Sequence, residues 1–415
     1  MINEKTQLIS KVLCSIVFAI NHNTATAQVS IDLFTALNEA VSIHPNVIAK
    51  VEELSAAESS LFAAKQQRLP SLSVITTKPI TDNSNNIYTT RIQQPLFAGG
   101  KIEAGIDRSQ AQIAEAQANL LSARKEIANK TSIAYMEIMK AKSRLAIAER
   151  SIKEHEKLLE SMRRRVGSEI SAESDLTLTR SRVSQTQTEK AQIALTLQRA
   201  EDTLFEILSK RPTSLETPDI SLDLPFKDLA SAIDAAETFS PDIKRALAQE
   251  AIASRDVSIQ KSALMPSVFA RVDQNSGDLS PGYARTQTYV GLEFSPGAGF
   301  SVMSQVEASE KKRLAAIEAR RSAEKEVRER VRGLWSELLS YQNQVESIQS
   351  YVQTTKEVAE SFSRQFTIGR RSWLEVLNAI RESMQAELSY QEALWNSRLI
   401  KIRLEIETGK LKIFS

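Results

Sequence analysis

Residues 101–167 read KIEAGIDRSQAQIAEAQANLLSARKEIANKTSIAYMEIMKAKSRLAIAERSIKEHEKLLESMRRRVG, and this stretch decides the fold of the chain. It contains no proline, and an apolar or small residue returns at every seventh position in two rows. The rows are Ile106, Ile113, Leu120, Ile127, Ala134, Ala141 and Ala148, and Ile138, Leu145, Ile152, Leu159 and Val166. Two such rows form a seam that faces another helix, and a strict seven-residue repeat favours a left-handed supercoil. At ~1.5 Å per residue, the predicted helix is roughly 100 Å long.

A second stretch, residues 304–366, repeats this pattern. Its rows are Val331, Leu338, Val345, Val352, Ala359 and Phe366, and Val327, Leu334, Tyr341, Ile348 and Phe362. The chain is therefore predicted to carry two long helices, each of which spans a distance instead of filling a compact core.

The order of motifs indicates an internal duplication. A His-Pro pair at 44–45 matches a Ser-Pro pair at 240–241, an offset of 196. Gly167 pairs with Gly369 at an offset of 202, and we interpret both glycines as hairpin tips. Such an offset is too long for a solenoid repeat. Each half is predicted to contain a helix, two strands and a long helical hairpin.

The predicted fold is mainly α with a small β part. The first 27 residues resemble a secretory signal, with Lys5 and Lys11 ahead of an apolar core and Ala25-Thr26-Ala27 as the cleavage site; the alternative is a mildly apolar cytosolic N-terminus. The predicted units are a signal peptide at 1–27, a first repeat at 28–210, a linker at 211–228 and a second repeat at 229–415. The first repeat has predicted strands about 71–78 and 87–95 and a hairpin at 101–210 whose tip is near 167–171. The second has predicted strands about 267–274 and 286–295 and a hairpin at 302–409 whose tip is near 369–372.

The predicted strands alternate between apolar and polar residues. In the last strand Thr288, Val290, Leu292 and Phe294 point one way, and Tyr289, Gly291 and Glu293 point the other. This alternation fits a water-filled transmembrane barrel, and it fits an ordinary half-buried antiparallel sheet equally well. Four strands cannot close a barrel, and an open sheet edge cannot face lipid, so a barrel would require several copies of the chain.

Composition argues against several function classes. The 53 basic and 51 acidic residues nearly balance, so no electrostatic footprint for nucleic acid is present. The only cysteine, Cys14, lies in the predicted signal, which leaves no disulfide or thiolate metal site beyond it. His44 and His155 lie far apart in the predicted plan, and neither is near a serine-carboxylate pairing or a metal spacing. We therefore expect no catalytic residue, no cofactor and no metal site.

The chain resembles the TolC family of outer-membrane channel proteins over essentially its whole length after the signal. The resemblance rests on the duplicated plan, the Leu69-Pro70-Ser71 entry and the exit at 94–100 (QPLFAGG) with its counterpart near Pro296, and the Gly-x5-acidic tips. The residues assigned to the strand-pair exits are Pro95, Gly99, Gly100 and Pro296.

The resemblance implies a homotrimer in the outer membrane of a Gram-negative bacterium. Its twelve strands would form one barrel in contact with outer-membrane lipid, and its helices a coiled-coil barrel across the periplasm. A periplasmic adaptor protein would dock near the tips at Gly167 and Gly369, together with an inner-membrane transporter that is ATP-driven or proton-driven.

The resemblance also assigns the periplasmic entrance. Glu173 and Glu375 would give about six carboxylates around the opening and favour cations; alternatively, these glutamates simply complement a helix dipole. Arg371 matches a basic residue that holds the entrance shut, and Glu173 is the predicted partner. Phe366 stands where the family often has tyrosine, and Asn378 where a second acidic residue is expected.

Two cargo classes remain open. The LFAGG exit at 96–100 and the short segment after Gly409 favour type I protein secretion, and the alternative is a multidrug or small-molecule efflux pump. A periplasmic adaptor or a structural coiled-coil protein is the alternative of another class. Adaptors carry one hairpin, however, whereas hairpin and strand pair are both duplicated here.

Overall fold

The computed structural model describes residues 30–78, 86–277, 279, 284–411 and 413. The predicted signal peptide at 1–27 lies outside these described residues. The elements, in chain order, are β1 Ser30–Ile31, α1 Leu33–Ile43, α2 Pro45–Gln66, β2 Ser71–Thr77, β3 Ile87–Phe97, α3 Lys101–Gly167, α4 Glu173–Leu208, β4 Ser214–Leu215, α5 Leu229–Phe239, α6 Pro241–Ser262, β5 Ser267–Gly277, β6 Thr286–Glu293, a 3-10 turn Ala298–Phe300, α7 Ser301–Thr367 and α8 Trp373–Glu407.

Helices α3 and α7 are each 67 residues long, roughly 100 Å at ~1.5 Å per residue. Their seven-residue rows are buried as the sequence predicts: Ile127, Ala134 and Ala148 are fully or almost fully buried in α3, and Val331 and Leu338 are fully buried in α7. Helix α3 packs against α4, α7 packs against α8, and α3 also contacts α8. The two hairpins thus lie side by side, and the apolar seams hold them together.

Proline breaks the shorter helices at positions 45 and 241. Helix α1 ends at Ile43 and α2 begins at Pro45, with the His44 side chain capping the new N-terminus. The second repeat does the same at Ser240, whose side chain caps α6. Proline at the first helical position needs no N–H partner, so each break starts a helix as well as ending one.

The two repeats superpose at two different offsets, which corrects one expectation. Helices α1 and α2 match α5 and α6 at an offset of 196, but α3 and α7 begin at 101 and 301 and their partners at 173 and 373. The hairpins therefore match at an offset of 200, not at the 202 inferred from Gly167 and Gly369. The physical reason is that the left-handed residue of the first tip is Glu169 (φ 61°), whereas the second tip uses Gly369 (φ 76°).

The four long strands form one antiparallel sheet in the order β2-β3-β5-β6. Strand β3 runs through Pro95 to Phe97, two residues beyond its predicted end, with an irregularity in its pairing to β5 between Pro95 and Phe97. Strand β5 continues to Gly277, into the segment expected to be a turn, and β6 stops at Glu293 instead of 295. Within the described residues, β2 and β6 each pair on one side only.

One face of this sheet is apolar and exposed. Register places Leu72 opposite Ile92, Ile92 opposite Val272, and Val290 opposite Ala270. Their neighbours on that face include Val74 and Leu292, and the exposed fractions of these side chains reach 75% at Val290. The other face carries Arg91, Arg271 and Asp273, with Asp273 buried. No helix among the described residues has the length and hydropathy needed to cross a membrane.

The predicted linker at 211–228 lies against the middle of the bundle. Its short strand β4 pairs in parallel with β1, and the buried Tyr135 hydroxyl lies 2.9 Å from Ile31 O and 2.6 Å from Glu216 O. Burial raises the pKa of Tyr135, because the phenolate would lose its hydration. The Lys401 ammonium donates to Ser221 from α8. These contacts tie the linker to both repeats.

Candidate functional site

The tips of the two hairpins lie in contact, and Trp373 is the central side chain between them. Trp373 is the first residue of α8 and is 5% exposed. Its indole Nε1 donates to Thr179 Oγ1 on α4, 2.7 Å away, and its ring centroid lies 4.8 Å from that of Phe366. Thr179 Oγ1 in turn donates to the Asp175 carbonyl at 2.6 Å. A buried indole N–H is satisfied only when such an acceptor is present, so this contact fixes one hairpin against the other.

Apolar packing surrounds this hydrogen bond. The buried tip cluster consists of Met162, Leu176, Trp373, Val376 and Leu377, drawn from both hairpins. The Arg165 guanidinium of α3 lies 4.5 Å above the Phe366 ring of α7, which is favourable because an aromatic face carries partial negative charge. Phe366, where the family often has tyrosine, therefore contributes through its ring and not through a hydroxyl.

Arg371 lies in the turn of the second tip. Its Nη1 is 2.6 Å from Glu375 Oε1, its Nε donates to Gln365 Oε1 at 3.2 Å, and its guanidinium lies 4.2 Å above the Phe362 ring. The expected partner was Glu173. Among the described residues, Arg371 binds the carboxylate of Glu375, which lies one helical turn after Arg371 in the same hairpin. The turn at Gly369 directs the Arg371 side chain along its own helix.

Glu375 also caps its own helix. The Ser372 N–H donates to Glu375 Oε2 at 2.9 Å, the Ser372 hydroxyl is 2.9 Å from the same oxygen, and the Glu375 N–H donates back to Ser372 Oγ at 3.4 Å. This reciprocal pair is a capping box. Hydrogen bonds from Ser372, followed by the hydrogen bond from Arg371, lower the pKa of Glu375 to about 2. Glu375 therefore carries its negative charge at neutral pH.

The first tip is built differently at the matching positions. Helix α4 begins at Glu173, has Glu173 and Asp175 in its first turn, and has no side-chain cap at Ala172. At the offset of 200, Asp175 matches Glu375, and Glu173 matches Trp373. The carboxylate related to Glu375 by the duplication is thus Asp175, a residue that counting from the tip glycines missed. Counting from the first residue of each return helix would have found it.

The remaining assigned residues divide between turn and helix. Gly167 is the last residue of α3 with an ordinary negative φ, whereas Gly369 has φ 76° in its turn. Asn378 lies one turn along α8 from Glu375 and is half-buried. Three apolar side chains at the tips face outward: Ile170 and Ile368 are each 66% exposed, and Leu374 is 50% exposed.

The strand-pair exits are also duplicated. Gly99 and Gly100 have φ of 60° and 86°, and Gly299 and Phe300 repeat this left-handed pair with 58° and 57° ahead of α7. A Cβ on Gly99 would lie 2.7 Å from the Ser262 carbonyl oxygen, so side chains are excluded there. Pro95 lies inside β3, and Pro296 precedes the 3-10 turn and accepts a hydrogen bond from Val302 N–H. Each long helix therefore starts from a rigid turn beside the sheet.

The described residues contain no group of three or more His, Cys, Asp or Glu side chains arranged to hold a metal ion. The geometry instead provides two structural ends. One is a sheet with an exposed apolar face, and the other is a pair of joined tips about one long helix away.

Comparison with known proteins agrees with this architecture. A family model described as "Outer membrane efflux protein" matches residues 36–210 and 232–405, which is most of the chain. A comparison with curated proteins found no match.

Three solved structures have the same fold. A membrane protein from Pseudomonas aeruginosa has a TM-score of 0.80 at 16% identity and covers 91% of this chain and 90% of its own. The outer membrane protein VceC from Vibrio cholerae has a TM-score of 0.78 at 16% identity and covers 91% and 96%. The CmeC outer membrane channel of Campylobacter jejuni has a TM-score of 0.74 at 14% identity and covers 91% and 85%.

The predicted resemblance to TolC-like channels is therefore confirmed by a match that spans both halves of the chain. The chain belongs to the outer membrane efflux protein family, a family of outer-membrane channels and not of enzymes, and its helical part lies in the periplasm.

Proposed function

We propose that three copies of this chain assemble into one conduit across the outer membrane and the periplasm. In this assembly the four-stranded sheets join edge to edge, β6 of one copy beside β2 of the next, into a twelve-stranded barrel. The observation that carries the proposal is the exposed apolar face around Leu72, Val290 and Leu292, on a sheet whose edge strands have no further strand partner among the described residues. An apolar sheet face is stable in lipid. An unpaired backbone N–H or C=O group in lipid costs free energy, so the open edges of neighbouring sheets have to pair with each other.

The helical hairpins supply the periplasmic part of the conduit. Helices α3 and α7 leave the same end of the sheet through the two duplicated turns, and both tips lie together at the far end. A wall made of three such bundles would enclose water. The apolar residues of the hairpin seams are already packed inside each bundle, so they need not line the axis. Solute would then pass along the axis without contacting lipid.

The tips form the entrance in this proposal. Glu375 is ionised at neutral pH, and Glu173 and Asp175 bring further carboxylates to the start of α4. In three copies these groups would surround a narrow opening with negative charge, which favours cations there. The exposed Ile170, Ile368 and Leu374 offer apolar contacts to a periplasmic adaptor, which would connect the entrance to an inner-membrane transporter.

For cargo, we propose export of protein through a type I secretion system, in which the inner-membrane transporter is ATP-driven. The LFAGG exit at 96–100 supports this assignment. The second candidate is efflux of small molecules by a proton-driven pump, and the description of the matching family as an efflux protein favours it.

Site-specific photo-crosslinking tests both levels of the proposal. A photoreactive amino acid at Ile368 should capture an adaptor protein in living cells, while the same residue at the sheet position Val290 should not. Mass spectrometry of the crosslinked complex then identifies the transporter. A protein-exporting, ATP-driven transporter supports type I secretion, and a proton-driven pump supports small-molecule efflux. Capture of neither adaptor nor transporter would overturn the proposed role of the tips.

A further inference from the structure

On the polar face of the described strands two arginines, Arg91 and Arg271, share one carboxylate, so one positive charge is in excess. Strand pairing places Arg91 opposite Asp273 and Tyr289 opposite Arg271, all on the face opposite the exposed apolar residues. Arg91 binds Asp273 with two hydrogen bonds, Nε to Oδ1 at 2.9 Å and Nη2 to Oδ2 at 3.1 Å. Such a two-pronged pair uses the carboxylate fully and cancels its charge.

Arg271 is held by a different set of contacts. Its Nε lies 3.4 Å from Asp273 Oδ2, but outside hydrogen-bond geometry, and this atom has no other hydrogen-bond partner among the described residues. Its guanidinium lies 4.7 Å from the centroid of the Tyr289 ring and 5.8 Å from that of Phe269. The aromatic rings fix the position of the cation without reducing its net charge.

A glycine on the neighbouring strand makes room for this arrangement. Gly291 lies opposite Phe269, and a Cβ there would come within 2.4 Å of the Phe269 ring. The Phe269 ring thus fills the space next to Gly291 on β6. The Arg271 side chain remains 25% exposed, although its Nε atom is buried.

Among the residues of the four strands themselves, the charges on this face separate into two levels. Arg91, Arg271 and Asp273 lie at the middle of the sheet and sum to one positive charge per chain. Glu293 lies on the same face at the foot of β6, opposite Ser267. Arg271 lies four positions along β5 from Ser267, a distance of roughly 14 Å at ~3.4 Å per residue. This exceeds the Debye length of about 8–10 Å at ordinary salt, so Glu293 does not cancel Arg271.

We infer that Arg271 contributes to a positively charged ring that attracts anions inside the membrane-spanning part of the channel. This inference rests on the proposed assembly, in which three copies bring three Arg271 side chains to one level of the lumen. Anionic groups that pass the sheet, such as chloride, a carboxylate or a phosphate, meet this ring after a negatively charged entrance. Arg271 is therefore a selectivity residue, and Asp273 and Arg91 set the size of its charge.

The test measures reversal potentials of the purified protein in planar bilayers under a KCl gradient. Arg271→Gln should lower the chloride-to-potassium permeability ratio roughly threefold. The reason is that three Arg271 charges about one Debye length from a passing ion together contribute an electrostatic energy of about RT. Asp273→Asn should raise the ratio, since it removes the carboxylate that Arg91 and Arg271 share. Arg271→Lys retains the positive charge and should keep the chloride-to-potassium permeability ratio at the wild-type value.

The opposite signs of the two variants keep the test decisive even if one of them assembles poorly. Equal reversal potentials for the wild type and Asp273→Asn, or shifts of the same sign for Asp273→Asn and Arg271→Gln, would overturn the inference while leaving the channel intact. Absence of any conductance in the wild type would instead overturn the proposed function.

Discussion

The indole N–H of Trp373 and the hydroxyl of Thr179, 2.7 Å apart, connect the second hairpin to the first at their tips. Trp373→Phe keeps a smaller aromatic ring and removes the donor, and a buried hydrogen bond contributes about 1 kcal/mol. We expect amide hydrogen exchange at the start of α4 to become roughly fivefold faster in Trp373→Phe. Exchange measured by mass spectrometry on peptides that cover residues 173–182 tests this.

Trp395→Phe is the matched control for that experiment. Trp395 donates to Ser143 Oγ at 3.1 Å in the body of the bundle, away from the tips. Its loss should speed exchange near Ser143 and leave the start of α4 unchanged. Equal effects of both variants on residues 173–182 would contradict a specific role for the Trp373–Thr179 contact.

Arg371 is expected to hold the second tip in its closed shape. Arg371→Ala removes the ion pair with Glu375, the hydrogen bond to Gln365 and the stacking on Phe362 together. The tip should loosen, and single-channel conductance in planar bilayers should rise. Arg370→Ala removes an adjacent positive charge without these contacts and should leave the conductance close to that of the wild type. An unchanged conductance in Arg371→Ala would reject Arg371 as a latch.

The charge of Glu375 should persist to unusually low pH. Its pKa falls from an ordinary value of 4.5 to about 2 in the folded chain. The stabilisation of the α8 N-terminus is therefore fully present above pH 4.5 and is lost as the pH falls through about 2. Infrared difference spectra between the wild type and Glu375→Gln should show the missing carboxylate titrating near pH 2. Titration of that carboxylate near pH 4.5 would contradict the capping geometry.

A buried ion pair joins the two repeats at the middle of the bundle. Lys125 Nζ on α3 lies 2.7 Å from Glu407 Oε1 at the end of α8, and their side chains are only 8% and 4% exposed. Arg330 on α7 lies 2.9 Å from the same oxygen. Glu407→Gln leaves Lys125 buried without a counter-charge, which costs about 3–5 kcal/mol.

The double variant Lys125→Met with Glu407→Gln should recover part of this loss, since Arg330 retains Asp242 at 3.2 Å. Thermal unfolding followed by the helical circular dichroism signal checks the order: wild type highest, double variant next, Glu407→Gln lowest. A double variant less stable than Glu407→Gln would show that Lys125 makes other favourable contacts.

Periodicity predicted the long elements because a seven-residue repeat constrains every turn of a helix. Rows such as Val331 and Leu338 are buried as expected. The duplicated proline pairs lie at matching helix starts, Pro45 and Pro241. Strand ends were predicted less well. The sequence predicts a strand that ends at Pro95, yet β3 continues past it to Phe97 through an irregular pairing.

The tips could be predicted only in part. Matching by glycine aligned Gly167 with Gly369, although Glu169 adopts the left-handed conformation at the first tip. A carboxylate side chain tolerates that conformation in an exposed turn, so composition does not reveal it. The partner of Arg371 depends on the direction in which the Arg371 side chain leaves the turn, and only the three-dimensional structure shows that direction. The Trp373–Thr179 contact joins residues 194 positions apart and has no local signal.

The most direct test of the central claim is disulfide crosslinking between β2 and β6 of neighbouring copies. With Cys14→Ser, the chain has no other cysteine, so one cysteine at Ser73 can be combined with one at Gln287 or Tyr289 in turn. Within one chain β3 and β5 separate these strands. The proposed assembly predicts covalent dimers and trimers in outer-membrane fractions for at least one combination, lost on reduction. Only monomers for every combination, with the protein folded and in the membrane, would contradict it.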